Sequence, residues 1–364
     1  MVIAVFGHKR IPSREGGVEV VVEALCTRLA ARGNKILCYN RGGGPAGHGF
    51  LLGNLSLRTV PTIRRKGLAA VSSSFFAALC SAFSDAQVVH IHGEGPAFWC
   101  WIPRLAGKQV VVTVHGLDWQ REKWQGTLGT RYIRWGERAA VRYADEIIVL
   151  SRNVQAYFEN TYGRKTVWIP NGITKPRPAK VKEIKARFAL EKGTYFLFLG
   201  RLVPEKGIHE LIEAYRSVET EKKLVIAGAA SDSAEYVQTL YTQAAEDKRI
   251  MFTGFVQGRL QEELYSNAYA YVLPSHLEGM PMSLLEAMSY GNCCVVSDIP
   301  ECTEVVENSA MTFPVGDIDA LRECLQRLSD DPALAERYRK GTDDFVCGKY
   351  NWDDITEKTL EVYR

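Results

Sequence analysis

The sequence predicts an α/β protein of two doubly wound domains, each a parallel sheet with helices on both faces. Three observations carry that expectation. Apolar runs of strand length alternate with amphipathic stretches along the whole chain, the pattern of repeated β-α-β units. The alternation breaks at Thr174-Lys175-Pro176-Arg177-Pro178-Ala179-Lys180, where two prolines exclude both helix and central strand. With 364 residues, the chain is long for one hydrophobic core and sufficient for two.

Taken in order, strands are expected at 2–6, 35–39, 88–92, 110–115, 146–150 and 167–169, with a helix over 18–31 after the first. Past the break, strands are expected at 195–199, 223–227, 250–253, 270–273, 293–297 and 311–313, with helices over 208–215 and 320–328. Gly42-Gly43-Gly44 reads as a flexible loop, and no internal repeat is present. In such sheets ligands sit beyond the carboxyl ends of the strands. Two such domains face to face would hold a substrate in the cleft between them.

Composition narrows the function. Apolar runs such as 147–150 and 268–273 are of strand length, far short of a membrane span. Met1 leads straight into a strand, so no signal peptide is expected. The nine cysteines form no CxxC pair and no metal-ligand spacing, and read as buried thiols in a reducing cytoplasm. Residues 1–170 hold 22 basic against 11 acidic residues, and the remainder 23 against 31. The imbalance is either drift of surface charge or the mark of an anionic partner for the first half: a phospholipid surface, a lipid pyrophosphate or nucleic acid.

The stretch richest in chemistry runs from Ser275-His276-Leu277-Glu278-Gly279-Met280-Pro281 through Met282-Ser283-Leu284-Leu285-Glu286-Ala287-Met288. It follows an apolar strand and closes at Gly291, a natural C′ glycine. Pro281 suits the first helical turn. The N–H groups after it have no intrahelical acceptor and, with the helix dipole, make an anion site. Two carboxylates that accept from hydroxyls, Glu278 and Glu286, flank those donors. That combination suits a nucleotide sugar. A second loop, Gly200-Arg201-Leu202-Val203-Pro204-Glu205-Lys206-Gly207, joins a strand to a helix. Its Arg fork and Lys point charge can neutralise a diphosphate. Cations at a helix start oppose the dipole, so solvation alone explains them poorly.

Gly-Arg-x4-Lys-Gly after a strand, followed by Glu-x7-Glu in a Ser-x-x-Glu-Gly-x-Pro context, resembles the retaining glycosyltransferases of family 4. The likeness covers the whole chain. It implies the GT-B fold, two Rossmann-like domains facing across a cleft: an acceptor-side domain over 1–174 and a nucleotide-sugar-binding domain over 175–349. A last helix, about 350–364, would cross back to the first domain, and Tyr350-Asn351-Trp352-Asp353 leading into 355–363 fits it.

The resemblance also implies roles. Glu278 contacts the donor sugar and Glu286 grips the ribose. Gly279, Met280, Pro281, Met282 and Ser283 line sugar and phosphate. Arg201 and Lys206 match the pyrophosphate-binding pair, and Gly254-Phe255-Val256 the loop that holds the base through Gly254 and Val256. Gly16-Gly17, which alone could be a strand–helix turn, matches a glycine-rich loop meeting donor phosphate and acceptor. No G-x-G-x-x-G fingerprint accompanies it, which argues against a nicotinamide enzyme. His115, a strand-end histidine that alone could be structural, matches a donor-sugar contact. Asp118 and Trp119 would line the acceptor pocket, and Glu94 offers an acceptor contact. Gly7-His8-Lys9-Arg10-Ile11-Pro12, with His115 to Asp118, Trp119, Lys123 and Trp124, is similar to a subgroup containing bacterial rhamnosyltransferases, though it departs at His8 and Val18.

The mechanism implied is transfer of a hexosyl group from a UDP-, dTDP- or GDP-sugar to an acceptor hydroxyl with retention, resting on His115, Glu278, Arg201 and Lys206. Asp317-Ile318-Asp319 is a formal D-x-D, but it starts a helix and reads as a cap or first-turn acid. No metal and no other cofactor are expected. Arg58, Arg64, Arg65 and Lys66 precede the apolar stretch 67–83. This is either an interfacial helix with a basic collar for a lipid-pyrophosphate acceptor at the inner face of the plasma membrane, or a core-facing helix beside a solvated loop. Expected partners are a nucleotide-sugar donor, a glycan or lipid-pyrophosphate-linked acceptor and an anionic membrane, with no nucleic acid; the setting is cytoplasmic surface-polysaccharide assembly. A sugar-nucleotide epimerase of the same architecture and a non-catalytic carbohydrate-binding module are the alternatives. The second does not explain Arg201, Lys206, Glu278 and Glu286 in one pocket.

Overall fold

A computed structural model describes residues 1–14, 16–42, 50–65, 67–124, 126–230 and 234–364. The calls on Gly43, Gly44 and Lys66 lie outside the described residues. The chain divides into two compact units, Met1–Gly172 with Trp352–Arg364, and Ile173–Asn351. From sequence the boundary is expected at 174/175.

The first unit holds strands β1 (Val2–Phe6), β2 (Lys35–Arg41), β3 (Phe50–Leu52), β4 (Leu55–Val60), β5 (Val88–His92), β6 (Gln109–Val114), β7 (Glu146–Val149) and β8 (Val167–Trp168). They lie in the order β3-β4-β2-β1-β5-β6-β7-β8. Every neighbouring pair is parallel except β3–β4. Helices cover both faces of such a sheet, so its strands are continuous apolar runs; all five residues of β5 are buried. Sequence reasoning misses β3 and β4. β4 alternates weakly, with Leu55, Leu57 and Val60 buried among Ser56, Arg58 and Thr59, and Arg58 belongs to this strand rather than to a loop.

The helix Leu68–Ala82 is core-facing, which decides between its two readings. It buries Ser72, Ser73, Ser74, Ala77, Ala78, Ser81 and Ala82, and packs against β1, β2 and β4. Its serines satisfy themselves within the helix, as Ser72 Oγ does on the Leu68 carbonyl at 2.8 Å. The helix Trp352–Val362 completes the unit from the far end of the chain. Arg32 pairs with Asp353 at 3.0 Å and Glu357 at 2.6 Å, and Arg28 lies over the Trp352 ring at 5.0 Å. Gly172 faces that indole so closely that a Cβ would stand 2.3 Å from it.

The second unit holds β9 (Tyr195–Leu199), β10 (Lys223–Ala227), β11 (Ile250–Gly254), β12 (Ala270–Leu273), β13 (Cys294–Ser297) and β14 (Met311–Phe313). The order is β11-β10-β9-β12-β13-β14, all parallel. Numbered within the unit this is 3-2-1-4-5-6, and the first unit repeats it from β4 inwards. Both sheets therefore have the doubly wound order, whose topological switch point lies between the first and fourth strands. The prolyl segment 174–180 forms neither helix nor strand. Asp317 caps the helix Ile318–Asp330 by accepting from Ala320 N at 2.9 Å, and Asp319 sits in its first turn. Seven cysteines are buried, but Cys80 is exposed and Cys347 half-buried, a correction to the expectation of buried thiols throughout. Cys80 stands on the outward side of the Leu68–Ala82 helix.

Candidate active site

In the second unit most of the residues singled out from sequence gather at the ends of β9 and β12, neighbours across the switch point, while Gly254 and Val256 follow the edge strand β11. After β9 the chain makes a tight turn over Pro204–Lys206 and enters the helix Ile208–Arg216 at Gly207. Gly207 has φ +63°, and a Cβ there would stand 2.1 Å from the Pro274 carbonyl oxygen. Only glycine lets the two loops touch. The contact sets Lys206, nearly buried, in an ion pair with Glu278. Ser275 Oγ donates to the same Glu278 oxygen at 2.7 Å. Gly228, whose Cβ would fall 1.9 Å from the Gly200 carbonyl oxygen, brings the end of β10 against the Gly200-Arg201 turn.

The helix after β12 runs Met282–Ser289, with Pro281 as N-cap and no side-chain cap. Pro281 thus stands one position before the first turn assigned to it from sequence, its carbonyl accepting from Leu284 and Leu285 N. Met282 and Ser283 present the first N–H groups, which have no intrahelical acceptor. Ser283 Oγ accepts from Tyr271 OH at 2.8 Å. Glu286 Oε2 accepts from Tyr265 OH at 3.0 Å and Gln261 Nε2 at 3.2 Å, so the helix presents Glu286 with its rotamer held. At the far end Gly291, φ +74°, donates to the Met288 carbonyl and Asn292 to that of Ala287, a Schellman stop. The carboxylates, the ammonium and the helix start thus share one end of one sheet.

Gly254 ends β11 with φ +72°, followed by Phe255, 51% exposed, and buried Val256. Phe255, Val256, Gln257, Arg259 and Leu260, with Glu183 and Arg187, line a cavity of about 320 Å³. Its wall depends on a residue that sequence reasoning misses. Glu263, fully buried, accepts from Lys182, Glu183 and Ile184 N at 2.8, 2.7 and 3.2 Å, and from Arg259 Nε at 3.1 Å. Burial alone would raise its pKa, but those donors hold it below the usual carboxylate range.

In the first unit the switch point lies between β1 and β5. Gly7, φ +113°, passes so close to β5 that a Cβ would be 2.1 Å from the His92 carbonyl oxygen. Gly16 is the extended N-cap of the helix Gly17–Ala31, which has no side-chain cap. Glu19 in its first turn folds back to accept from Lys9 N at 2.9 Å. His115 is not a lone histidine. Its Nε2 lies 3.0 Å from His92 Nδ1, and the rings stack at 5.2 Å. His90 lies 4.2 Å beyond, between Tyr363 OH and Thr113 Oγ1 at 2.6 Å each. His8 lies near enough to bear on the charge of His92, and its own Nε2 meets Asn40 Oδ1 at 2.9 Å. Burial pushes His115 down to about 4 despite Asp118 and Glu19, His8 to about 4 and His90 to about 3, with His92 well below its usual value. All four are neutral at physiological pH, so His115 can present an uncharged imidazole.

Glu94 requires a correction. It is fully buried, so it cannot meet an acceptor. Its Oε2 accepts from Asp118 N at 2.7 Å, and its other oxygen faces the carboxyl of Glu137. Burial, then Glu137 and Asp118, raises its pKa well above the usual range. Glu137, also fully buried, accepts from Trp119 Nε1 at 3.2 Å, Tyr157 OH at 3.0 Å and Tyr162 OH. The two acids thus hold the turn carrying Asp118 and Trp119. Asp118 is further tied to Arg121 at 2.9 Å, and Trp119 lies under the Arg134 guanidinium at 4.2 Å.

The two units belong to a known architecture. Over 100% of this chain and 98% of the other, the structure superposes on sucrose-phosphate synthase from Thermosynechococcus elongatus with a TM-score of 0.87 at 22% identity. HepE of Anabaena, solved with UDP and glucose, matches with a TM-score of 0.82 at 16% identity, covering 99% and 98% of the two chains. The fold is therefore GT-B. Residues 15–175 match the family described as Glycosyltransferase Family 4 and residues 180–345 that described as Glycosyl transferases group 1. Taken together, the two matches make the chain a glycosyltransferase of the family 4-like, GT-B kind. Among curated relatives, alpha-maltose-1-phosphate synthase of Mycobacterium tuberculosis is 27% identical over 353 residues, 86% of this chain and 87% of its own. Alpha-D-kanosaminyltransferase of Streptomyces kanamyceticus is 24% identical over 297 residues, 76% of each.

Proposed function

We propose that this glycosyltransferase moves a hexosyl group from a nucleoside diphosphate sugar, UDP-linked foremost, to a hydroxyl of a glycan or lipid-linked acceptor, with retention and without a metal. One observation carries the reading: Lys206, Glu278, Glu286 and the N–H groups of Met282 and Ser283 lie on two adjacent loops, and on the helix that the second of them enters, at a topological switch point. Positive charge and free N–H groups suit the diphosphate, and the two carboxylates suit sugar and ribose hydroxyls. The solved structure of HepE with UDP and glucose supports the donor class.

In this reaction the bond between the anomeric carbon and the β-phosphate oxygen breaks, and that carbon bonds to the acceptor oxygen on the same face. The leaving diphosphate takes up negative charge, met by Lys206, Arg201 and the helix start, and a phosphate oxygen takes the acceptor proton. Glu278 turns from Lys206 to the sugar hydroxyls when phosphate takes the ammonium. Neutral His115 donates to the sugar, and Gly16-Gly17 admits the phosphate. Asp118 and Trp119 line the acceptor side, in a position set by Glu94 and Glu137. Among the described residues no helix is long and apolar enough to cross a membrane. Surface-polysaccharide assembly at the cytoplasmic face of a membrane is the setting we propose.

Ligand-induced thermal shift tests this with UDP-, dTDP- and GDP-sugars, with and without EDTA. One nucleotide should stabilise selectively, unaffected by EDTA, and the shift should vanish in Glu286→Ala and Arg201→Ala variants that remain folded. No shift with any donor would sink the reading, and loss with EDTA would sink its metal-free part.

A further inference from the structure

The helix Leu128–Tyr143 buries Ile133, Gly136, Glu137 and Ala140. Its exposed residues are Leu128, Arg131, Arg134, Trp135, Arg138 and Arg142. The helix carries four arginines outward, and its only acid, Glu137, is buried. Among the described residues none of the four pairs with a carboxylate. Arg134 lies over Trp119 and Arg131 over Trp135, at 4.2 and 6.0 Å from the ring centroids. The face cannot roll inward, because Gly136 is seated on the backbone of Glu94, where a Cβ would be 1.9 Å from the carbonyl oxygen.

A helix face that is merely solvated mixes signs, because opposite charges four residues apart attract and like charges repel. Here Arg134, Arg138 and Arg142 follow one another at that spacing, so the face carries like-charge repulsion that an anion would relieve. A soluble polyanion would ask for charge alone. This face also exposes Leu128 by 80% and Trp135 by 49%, and the adjoining helix Trp101–Leu105 exposes Leu105 by 76%. Arginine beside tryptophan and leucine on a helix lying along a surface is the composition of a phospholipid interface. We propose that this face docks the first unit on an anionic phospholipid membrane. The proposal extends the acceptor side of the reading above and takes the place of the Leu68–Ala82 helix, which the core occupies.

The test uses the full chain without donor: cosedimentation with phosphatidylcholine–phosphatidylglycerol vesicles against phosphatidylcholine alone. Binding should need the anionic lipid and fall as salt is raised. Each arginine removed should weaken it about fivefold, so Arg131→Gln/Arg138→Gln/Arg142→Gln together weaken it about a hundredfold. Leu128→Ser/Trp135→Ser should also weaken vesicle binding while leaving retention on heparin unchanged. Equal binding to both vesicles, salt-independent binding of the wild type, an unaltered arginine variant, or heparin retention with vesicle binding indifferent to Leu128 and Trp135 would each overturn it. Donor binding, read separately by thermal shift, can persist while vesicle binding fails, so the two readings fall independently.

Discussion

Replacing Gly136 by alanine sets helix propensity against a steric contact. Alanine is the better helix former by about 1 kcal/mol, so propensity alone makes the variant more stable. Its Cβ, however, would lie 1.9 Å from the Glu94 carbonyl oxygen, 2.9 Å from that carbonyl carbon and 3.2 Å from Phe98 N. All three are backbone atoms, so no rotamer change relieves the clash. Restoring an ordinary C···O separation of about 3.3 Å moves the helix by about 1.4 Å. Overpacking of this kind costs about 1–3 kcal/mol. The displacement also strains the bonds of Glu137 to Trp119 and Tyr157, and of Glu94 to Asp118 N. Losing one hydrogen bond to a charged group adds about 1.5–3 kcal/mol. Set against the helix gain of about 1 kcal/mol, the net loss is about 1.5–5 kcal/mol. All seven tryptophans lie in the first unit, so urea unfolding followed by tryptophan fluorescence reports on that unit alone. With a slope of about 2 kcal/mol per molar, the midpoint should fall by about 0.8–2.5 M. A midpoint that stays put or rises would refute the steric argument.

Three further outcomes are expected. Glu94 stays protonated in the fold above its unfolded pKa, so the native state binds the extra proton and stability is lost as pH rises from about 4.5 toward the raised value. Glu94→Gln, which keeps the acceptor for Asp118 N, should flatten that decline in thermal melts across pH, whereas Glu94→Ala should destabilise throughout. Lys206→Met leaves the nearly buried Glu278 unpaired and should cost about 3–5 kcal/mol by calorimetry, with partial recovery in Lys206→Met/Glu278→Gln. Glu263→Ala strips three N–H groups of their acceptor and should cost about 2–3 kcal/mol at neutral pH. Because the Glu263 pKa is depressed, its contribution is full above about 4.5 and lost as pH falls through the lower folded value. Variant and wild type should therefore converge in acid.

The second unit's cluster was legible because its determinants are close in sequence. Gly200 to Gly207 and Ser275 to Gly291 each carry a strand end, a turn glycine and a helix start in one stretch. The first unit's group was read less well because its supports meet only in three dimensions. Glu137 sits among Arg134, Arg138 and Arg142 and reads as one charge of a solvated helix, yet Ile133, Gly136 and Ala140 place it on the buried stripe. His90 and His92, two apart on a strand, share a face, which was the available sign that His115 has company. Glu94 invites a contact role because it follows a strand end, and only the fold shows it turned inward beneath Asp118. Glu263 reads as a mid-helix acid, since the N–H groups it caps belong to a helix some eighty residues earlier in sequence.

The return of residues 352–364 to the first unit makes the second unit an insertion within the first. During synthesis the ribosome releases β1–β8 long before the helix that lies beside Arg28 and Arg32 and supplies Tyr363 to His90. The second unit can fold while the first still awaits its closing piece. Of the two units, the one begun first is then the last to be completed, and the histidine group beneath His115 is completed only when Tyr363 arrives.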